Sequence, residues 1–584
     1  MKMKKKNVGI IILIIVLLGA GIGNILYNAQ YWSIGPGPGP IQTIKFGSMY
    51  IAEDIDPQYA WNSSSFDAII MVWEGLLASN LSHPEMALYP LLATDLGTYN
   101  VTGTELTFNL KSGVKFHDGT DFNADAVVWS FMRLHYLMNT TWNGGPHPWG
   151  QLPNTVFYNI PTIISSLYYV QGVPIIQNVE AITPTQVKFT LNQSYGPFRS
   201  LLAYPASVIM SPTSTPQFDY INPATVENGT CIGTGPMKIE KLETYEVRFT
   251  AFEGYHRPRI GFDVLVHVKA QDIEARNLAL LSGAVDIITD PFFFYFPEMV
   301  AEENVFLYEA GCEAITEYVG FNTKQINVTW RNAISYAINY SSIIDHLEND
   351  WNYTSTRLKS PLPKGVLYAN WSFNYPIFNI SKAREIMQSM DFGVGWDTAF
   401  PGNHEAQWIS ANFRTLNYTY NADGAGYIIG GTIYETLEDS LVYIGITIDN
   451  NSMTWEDYKD RLYNKSVSSA GHDALQLYYW DWNPDLNDPS NYINPLFSNT
   501  SITNAAQVNV PYLQNLIEQG IEEVDPTIRE AIYDEIQRYL VEELRPHAWL
   551  HVEKNYDVWD KDLRGFPSNA MDRAYFYPCY WDYS

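Results

Sequence analysis

The stretch Tyr478–Tyr492 reads YYWDWNPDLNDPSNY, and it sets Asp481, Asp485 and Asp488 among two tryptophans and three tyrosines. Residues of these types serve three chemistries. Paired carboxylates beside aromatic walls hydrolyse glycosidic bonds. Carboxylates at alternate positions around a turn glycine bind calcium. A carboxylate set among apolar rings holds a ligand without changing it. The calcium pattern fails here. Three and then two residues separate the aspartates, no glycine stands between them, and Pro484 and Pro489 stiffen the backbone. His472 is the nearest histidine to this stretch, and no metal is expected. Catalytic carboxylates converge from anywhere in a chain, so their local clustering is no sign of hydrolysis.

The elements that position this stretch belong to a chain of 584 residues, long enough for two or three domains with real cores. Hydrophobic residues make up 46% and charged residues only 17%, which describes a globular protein rather than a disordered one. The net charge of −28 is spread along the chain and excludes nucleic acid as a partner, because phosphates require a basic face. Cys231, Cys312 and Cys579 are too few and too far apart for a disulfide framework or a zinc ribbon. One pair could bridge, and the residues do not say which.

The N-terminus carries an address. Residues 1–7 form a basic tail, and residues 8–27 are apolar and nearly free of charge, with a length close to the ~20 residues that span a bilayer. Lysines before the span place the rest of the chain outside the cell. An uncleaved transmembrane anchor is the preferred reading and a cleaved signal peptide the alternative. No cysteine follows the span, which excludes bacterial-type lipid attachment. Residues 28–40 include SIGPGPGPIQ, a Gly/Pro linker. Glycosylation sequons recur beyond the roughly five or six that composition would produce, and their candidates are Asn80, Asn100, Asn139, Asn228, Asn327, Asn352, Asn370, Asn417 and Asn464. Together these features describe an extracellular glycoprotein on a single membrane anchor, with an archaeal flavour.

Two stretches of the body are legible by period. Leu106, Phe108 and Leu110 alternate with polar residues as a half-buried strand does. Asp118-Gly119 supplies a turn, Asn123 caps a helix from Ala124, and Val127, Phe131 and Leu134 share its apolar face. His117 and Asp118 could suggest catalysis, but a turn calls for Asp-Gly for backbone reasons alone. Near the C-terminus Asp525-Pro526 opens a helix whose apolar face is expected to carry Ile528, Ile532, Ile536 and Tyr539, ending at Arg545-Pro546.

The block TELTFNLKSGVKFHDGTDFNADAVVWSFMRL resembles the signature of the large extracellular solute-binding proteins of ABC importers, the oligopeptide/dipeptide/nickel-binding family 5. DIDPQYAWN, VWEGLL, LYPLLATDL, GTGPMKIEKLE with FEGYH, VGFNTKQINVTWRNAISYAINYSSII and DPTIREAIYDEIQRYLVEELRPHAWLH resemble further family segments in the family's order, over about residues 43–560. Asn123, Ala124-Asp125-Ala126 and Trp330-Arg331-Asn332 depart from the family pattern, as do the insertion 142–177 and the stretch 391–427.

The resemblance implies an α/β, type II periplasmic-binding-protein-like fold of two lobes with an extra small domain, and no enzymatic activity or cofactor. It places lobe I in 41–75, 228–316 and 546–584, the extra domain in 76–227, and lobe III in 317–545, with hinge crossings near Glu317 and Arg545. Closure of such lobes stores ligand preference as a population shift. The family's W-x-x-D element maps onto Trp482–Asp485, so the resemblance implies that Asp485 holds a peptide's α-ammonium, with Tyr479, Trp480 and Trp482 as walls. Asp481 and Asp488 are read as turn or cap residues. The implied function is a monomeric receptor that captures oligopeptides for ABC permease subunits. Oligosaccharide binding on the same scaffold, or a surface sensor or structural role, are the alternatives.

Overall fold

The computed structural model describes residues 41–583 apart from 61, 84–85, 139–166, 171, 290, 313, 352–354 and 464–471. The expected anchor over 8–27 and linker over 28–40 lie outside the described residues, as do Asn139, Asn352, Asn464 and most of the insertion. Among the described residues no helix is long and apolar enough to cross a membrane. The chain forms two compact units. One holds residues up to 311 together with 555–584, and the other holds 312–554. The chain therefore passes between them at 311–312 and 554–555, where the sequence places the passages at 316–317 and 545–546.

In chain order the first unit contains β1 (Thr43–Ser48), α1 (Ser63–Val72), β2 (Thr98–Tyr99), β3 (Glu105–Asn109), α2 (Ala124–Met138), β4 (Ile176–Thr183), β5 (Gln186–Leu191), β6 (Met237–Leu242), β7 (Glu246–Ala251), β8 (Val264–Lys269), α3 (Ile273–Leu281), β9 (Ile287–Ile288) and β10 (Val305–Cys312). The second unit contains β11 (Thr316–Phe321), α4 (Val328–Ala337), β12 (Arg414–Asn421), α5 (Gly424–Leu441), β13 (Ile446–Met453), α6 (Trp455–Tyr463), β14 (Leu477–Trp482), α7 (Ser490–Phe497), α8 (Pro526–Arg538) and β15 (His547–Trp549). A last long strand, β16 (His551–Asp560), starts in the second unit and ends in the first.

The main sheet of the first unit has the order β6-β7-β8-β1-β9-β16-β10. Its centre is parallel, with β1 pairing both β8 and β9. β8 reads VLVHVK and buries its first four residues in succession, as a strand covered on both faces does. A smaller antiparallel sheet, β2-β3-β5-β4, carries α2. There the expected alternation holds. Leu106 and Phe108 are buried, and Phe131 of α2 sets its ring edge-on to Phe189 at 5.0 Å. Asn123 caps α2 through its Oδ1, which accepts the Ala126 N–H at 3.0 Å.

Polar contacts join the sequence segments singled out in this unit. The Glu74 carboxylate accepts from Thr234 Oγ1 and Tyr255 OH and meets His256 Nε2, each at 2.8 Å. His117 Nε2 meets the Gly235 carbonyl at 2.9 Å, and Asp118 accepts hydroxyls from Thr120, Ser211, Thr213 and Ser214. Asp118 thus orders a turn completed by Gly119 at φ 85°, and neither residue is placed for catalysis. Cys231 and Cys579 are separate buried thiols, and burial pushes Cys231 up to about 12.

The second unit is a mixed sheet, β13-β12-β14-β11-β15, in which β12 runs parallel to β13 and β14 while β11 runs antiparallel to β14 and β15. Residues of α4 and α5 pack on one face with Val319, Phe321, Leu416, Tyr418, Leu477 and Tyr479. α8 starts where expected, because Asp525 Oδ1 accepts the N–H groups of Thr527 and Ile528 at 3.0 and 3.1 Å. Its buried face differs from the expected one. Arg529, Tyr533, Ile536 and Gln537 are buried, whereas Ile528 is 54% exposed. A buried partner for Arg529, described below, turns that side of the helix inward. Ile536→Ala is accordingly expected to cost about 2–5 kcal/mol in urea unfolding, whereas Ile528→Ala stays within about 0.5 kcal/mol.

Candidate functional site

β14 carries the aromatic and acidic stretch into the second unit. Its alternating side chains divide between the faces of the sheet. Leu477 and Tyr479 join the core beneath the helices, while Tyr478 and Trp480 stand on the opposite face. Gly320 lies directly opposite Tyr478 on β11, and a Cβ there would collide with the Tyr478 ring. That face is lined with rings. Tyr318 stacks on His547 at 3.8 Å, and Trp549 meets both Tyr318 and Phe497 edge-on.

The antiparallel register sets Glu317 opposite Asp481. Glu317 is buried, accepts the Tyr479 hydroxyl at 2.7 Å and meets His551 Nε2 at 3.0 Å. This three-strand network was not anticipated from the sequence, since its members lie far apart in the chain and share no motif. Asp481 is a strand residue, which corrects the turn or cap role read for it. The residue keeps exposed surface, and its carboxyl is raised to about 6 by burial in the protein around it and then by Glu317.

Beyond Trp482 the chain makes a short, heavily braced loop. The Trp482 indole N–H donates to the Asn491 carbonyl at 2.7 Å, and the Asp485 N–H donates to Asn491 Oδ1 at 2.6 Å. Asn491 therefore fixes both the ring and the backbone of the aspartate. Asn487 Oδ1 accepts the Leu367 N–H at 3.2 Å. Asp488 is fully buried, accepts the Ser490 N–H and hydroxyl, and forms a two-pronged pair with Arg529 at 2.8 Å per contact. Burial opposes its ionisation, but Arg529 and Ser490 outweigh burial and hold the carboxyl below the usual carboxylate range.

Of the four expected contact residues, Trp482 and Asp485 are half-buried and keep surface, while Tyr479 and Trp480 are buried. Trp480 packs against Trp482 at 6.0 Å and Tyr463 at 5.5 Å, and so supports the wall from behind. Arg414 lies over the Trp330 ring and donates to the Gln325 carbonyl. Among the sequons, Asn100, Asn327 and Asn417 are exposed and Asn80 is half-buried. Asn370 is half-buried and its amide donates to Asp534, and the Asn228 side chain lies outside the described residues.

A family model described as "Bacterial extracellular solute-binding proteins, family 5 Middle" matches residues 87–504. Heme-binding protein A of Haemophilus influenzae is 25% identical over 455 residues, 74% of each chain. Glutathione-binding protein GsiB of Escherichia coli is 24% identical over 522 residues, 88% of this chain and 89% of that protein. Among solved structures, the ABC transporter-associated periplasmic binding protein DppA of Helicobacter pylori, in complex with the peptide STSA, superposes with a TM-score of 0.60 at 19% identity, covering 92% of this chain and 98% of that one.

The bracing of the loop leads to a stability test. Arg529→Ala leaves Asp488 buried without its cation and is expected to cost about 3–5 kcal/mol near neutral pH. The depressed Asp488 carboxyl contributes stability that is present above the ordinary aspartate value, about 3.9, and lost as pH falls through its folded value. The gap between wild type and variant in denaturant titrations should therefore close below about pH 4.

Proposed function

The chain belongs to the bacterial extracellular solute-binding proteins of family 5, and from that premise we propose that it captures oligopeptides and hands them to the permease of an ABC importer. It is a binding protein and not an enzyme. The observation that carries the peptide reading is the braced Asp485, a half-buried carboxylate whose backbone is fixed by Asn491 next to the anchored Trp482 ring. A carboxylate held this way meets an α-ammonium at little cost in ordering, because its loop is already rigid. The half-buried indole of Trp482 offers an apolar or cation–π face to the first residue of the peptide. The ligands named for the relatives include a peptide, glutathione and heme, so the scaffold accommodates varied cargo, and the acidic anchor favours ligands with a free amino group. A single N-terminal anchor over residues 8–27 and glycans at Asn100, Asn327 and Asn417 are compatible with work at the outer cell surface.

Isothermal titration of the purified chain against short peptides tests the reading. A free N-terminus should matter. N-acetylation of the peptide, or Asp485→Ala in the protein, should each weaken binding about 10- to 100-fold, the weight of one charge-assisted hydrogen bond. Thermal stabilisation by cello- or manno-oligosaccharides with none by peptides would instead establish a sugar receptor.

A further inference from the structure

On the first unit the rings of Trp581 and Tyr583 lie parallel, with an interplanar angle of 3° and centroids 5.7 Å apart. Residues two apart on an extended chain share a face, so the pair forms one flat ledge. Trp581 is half-buried and Tyr583 is 67% exposed. The backbone beneath the ledge is fixed. Tyr580–Trp581 pairs with Leu563–Arg564, Tyr580 also bridges to Gly261, and the Asp582 N–H donates to the Asp562 carbonyl at 2.7 Å. Gly261 permits this approach, because a Cβ there would strike the Cys579 carbonyl and Tyr580. A surface ordered in advance loses little entropy when something covers it. The ledge also meets one particular piece of chain. The Trp581 indole N–H donates to the Thr43 carbonyl at 3.1 Å, and the Tyr583 hydroxyl donates to Gln42 Oε1 at 3.3 Å. Followed outward from β1, the chain passes Trp581 at Thr43 and Tyr583 at Gln42, and then reaches Ile41, which is 64% exposed. The residues next in that direction, 33–40, read SIGPGPGP. Proline-rich chain favours the polyproline II form, whose prolines pack on aromatic rings. In that form prolines two residues apart stand about 6 Å apart along the axis, close to the 5.7 Å between the ring centroids. The glycines between them carry no side chain to hold the rings off.

We propose that the Trp581–Tyr583 ledge is a docking surface for the chain's own Gly/Pro segment, residues 33–40. The segment lies along the rings in extended form, and its prolines cover the Tyr583 ring that the folded unit leaves in water. Covalent continuity at Ile41 gives the segment a high effective concentration at the ledge, so a weak contact for each proline is enough. A proline-rich segment of another protein would have to compete with that advantage. Docking turns a flexible linker into a stiff spacer and fixes the direction in which the chain leaves the first unit. It needs neither the peptide reading nor an anchor over residues 8–27, because only the described rings and the linker's composition enter.

Photo-crosslinking in the full chain tests the docking. The substitution Tyr583→p-benzoylphenylalanine keeps an aromatic ring at the position and inserts into C–H bonds within its reach, and mass spectrometry of the digest identifies the residues it joins. Adducts are expected within the same chain on residues 35–39, beyond the immediate neighbours of Ile41. Combining Pro36→Ser, Pro38→Ser and Pro40→Ser leaves both folded units unchanged and should reduce those adducts at least about five-fold, because a flexible linker visits the ledge only transiently. Adducts confined to Pro40 and Ile41, adducts that persist undiminished in the serine variant, or no protein adducts at all overturn the proposal. Adducts that join two chains overturn it as well, and assign the ledge to a contact between copies.

Discussion

The antiparallel pairing of β11 with β14 is the contact on which the second unit turns. It is close because Gly320 has no side chain, which lets the Tyr478 ring cross the strand where a Cβ would stand. From that register the rest follows. Tyr479 is directed into the core beneath the helices, where its hydroxyl reaches Glu317, and Trp480 is directed onto the ring-lined face. A slip of one residue would exchange these faces, burying Asp481 in place of Trp480 and exposing an indole. The large burial penalty for an unpaired carboxylate makes that alternative costly, so the aspartate helps to fix the register that displays it.

The first unit shows a different use of buried polarity. His117 and Asp118 lie in a segment that looks like active-site material in sequence, yet they and Glu74 tie loops together. Glu74 collects the side chains of Thr234, Tyr255 and His256, and His117 holds the Gly233–Gly235 turn. A Cβ on Gly233 would strike the end of α1, so the same turn also needs its glycines for close approach. Arg133 is buried with Asp56 and Gln58 and extends the pattern to the second half of α2. Such networks are stabilising only when complete, because an orphaned member would carry its full desolvation penalty.

What could be read from the sequence divides along the same line. Local signals were legible. The alternation around Leu106 and Phe108, the Asn123 cap and the Asp525-Pro526 start all appear where their periods and turn chemistry put them. Signals that depend on distant partners were not. The buried face of α8 was read from its isoleucines, but Asp488, far away in the chain, takes Arg529 inward and leaves Ile528 in water. Tyr479 and Trp480 were read as ligand-facing walls because aromatic residues beside aspartates suggest a site. The register of β14 buries both, and only pairing with β11 could reveal this. Asp481 was misread for the same reason. In the sequence it resembles Asp488, and in the fold one is a strand residue and the other a buried ion-pair member.

That contrast bears on how a chain with so large an acidic surplus can build a selective site. Asp488 shows that a carboxylate taken fully out of water requires a dedicated cation, since Coulombic attraction must offset desolvation. Its role is then structural, and it has no affinity left for a ligand. A carboxylate left in open water is equally unselective, because solvent screens it and an exposed pair contributes little. The useful position lies between these limits, where water is partly displaced and the backbone is already fixed. Asp485, half-buried and tied to Asn491, meets that condition through its loop.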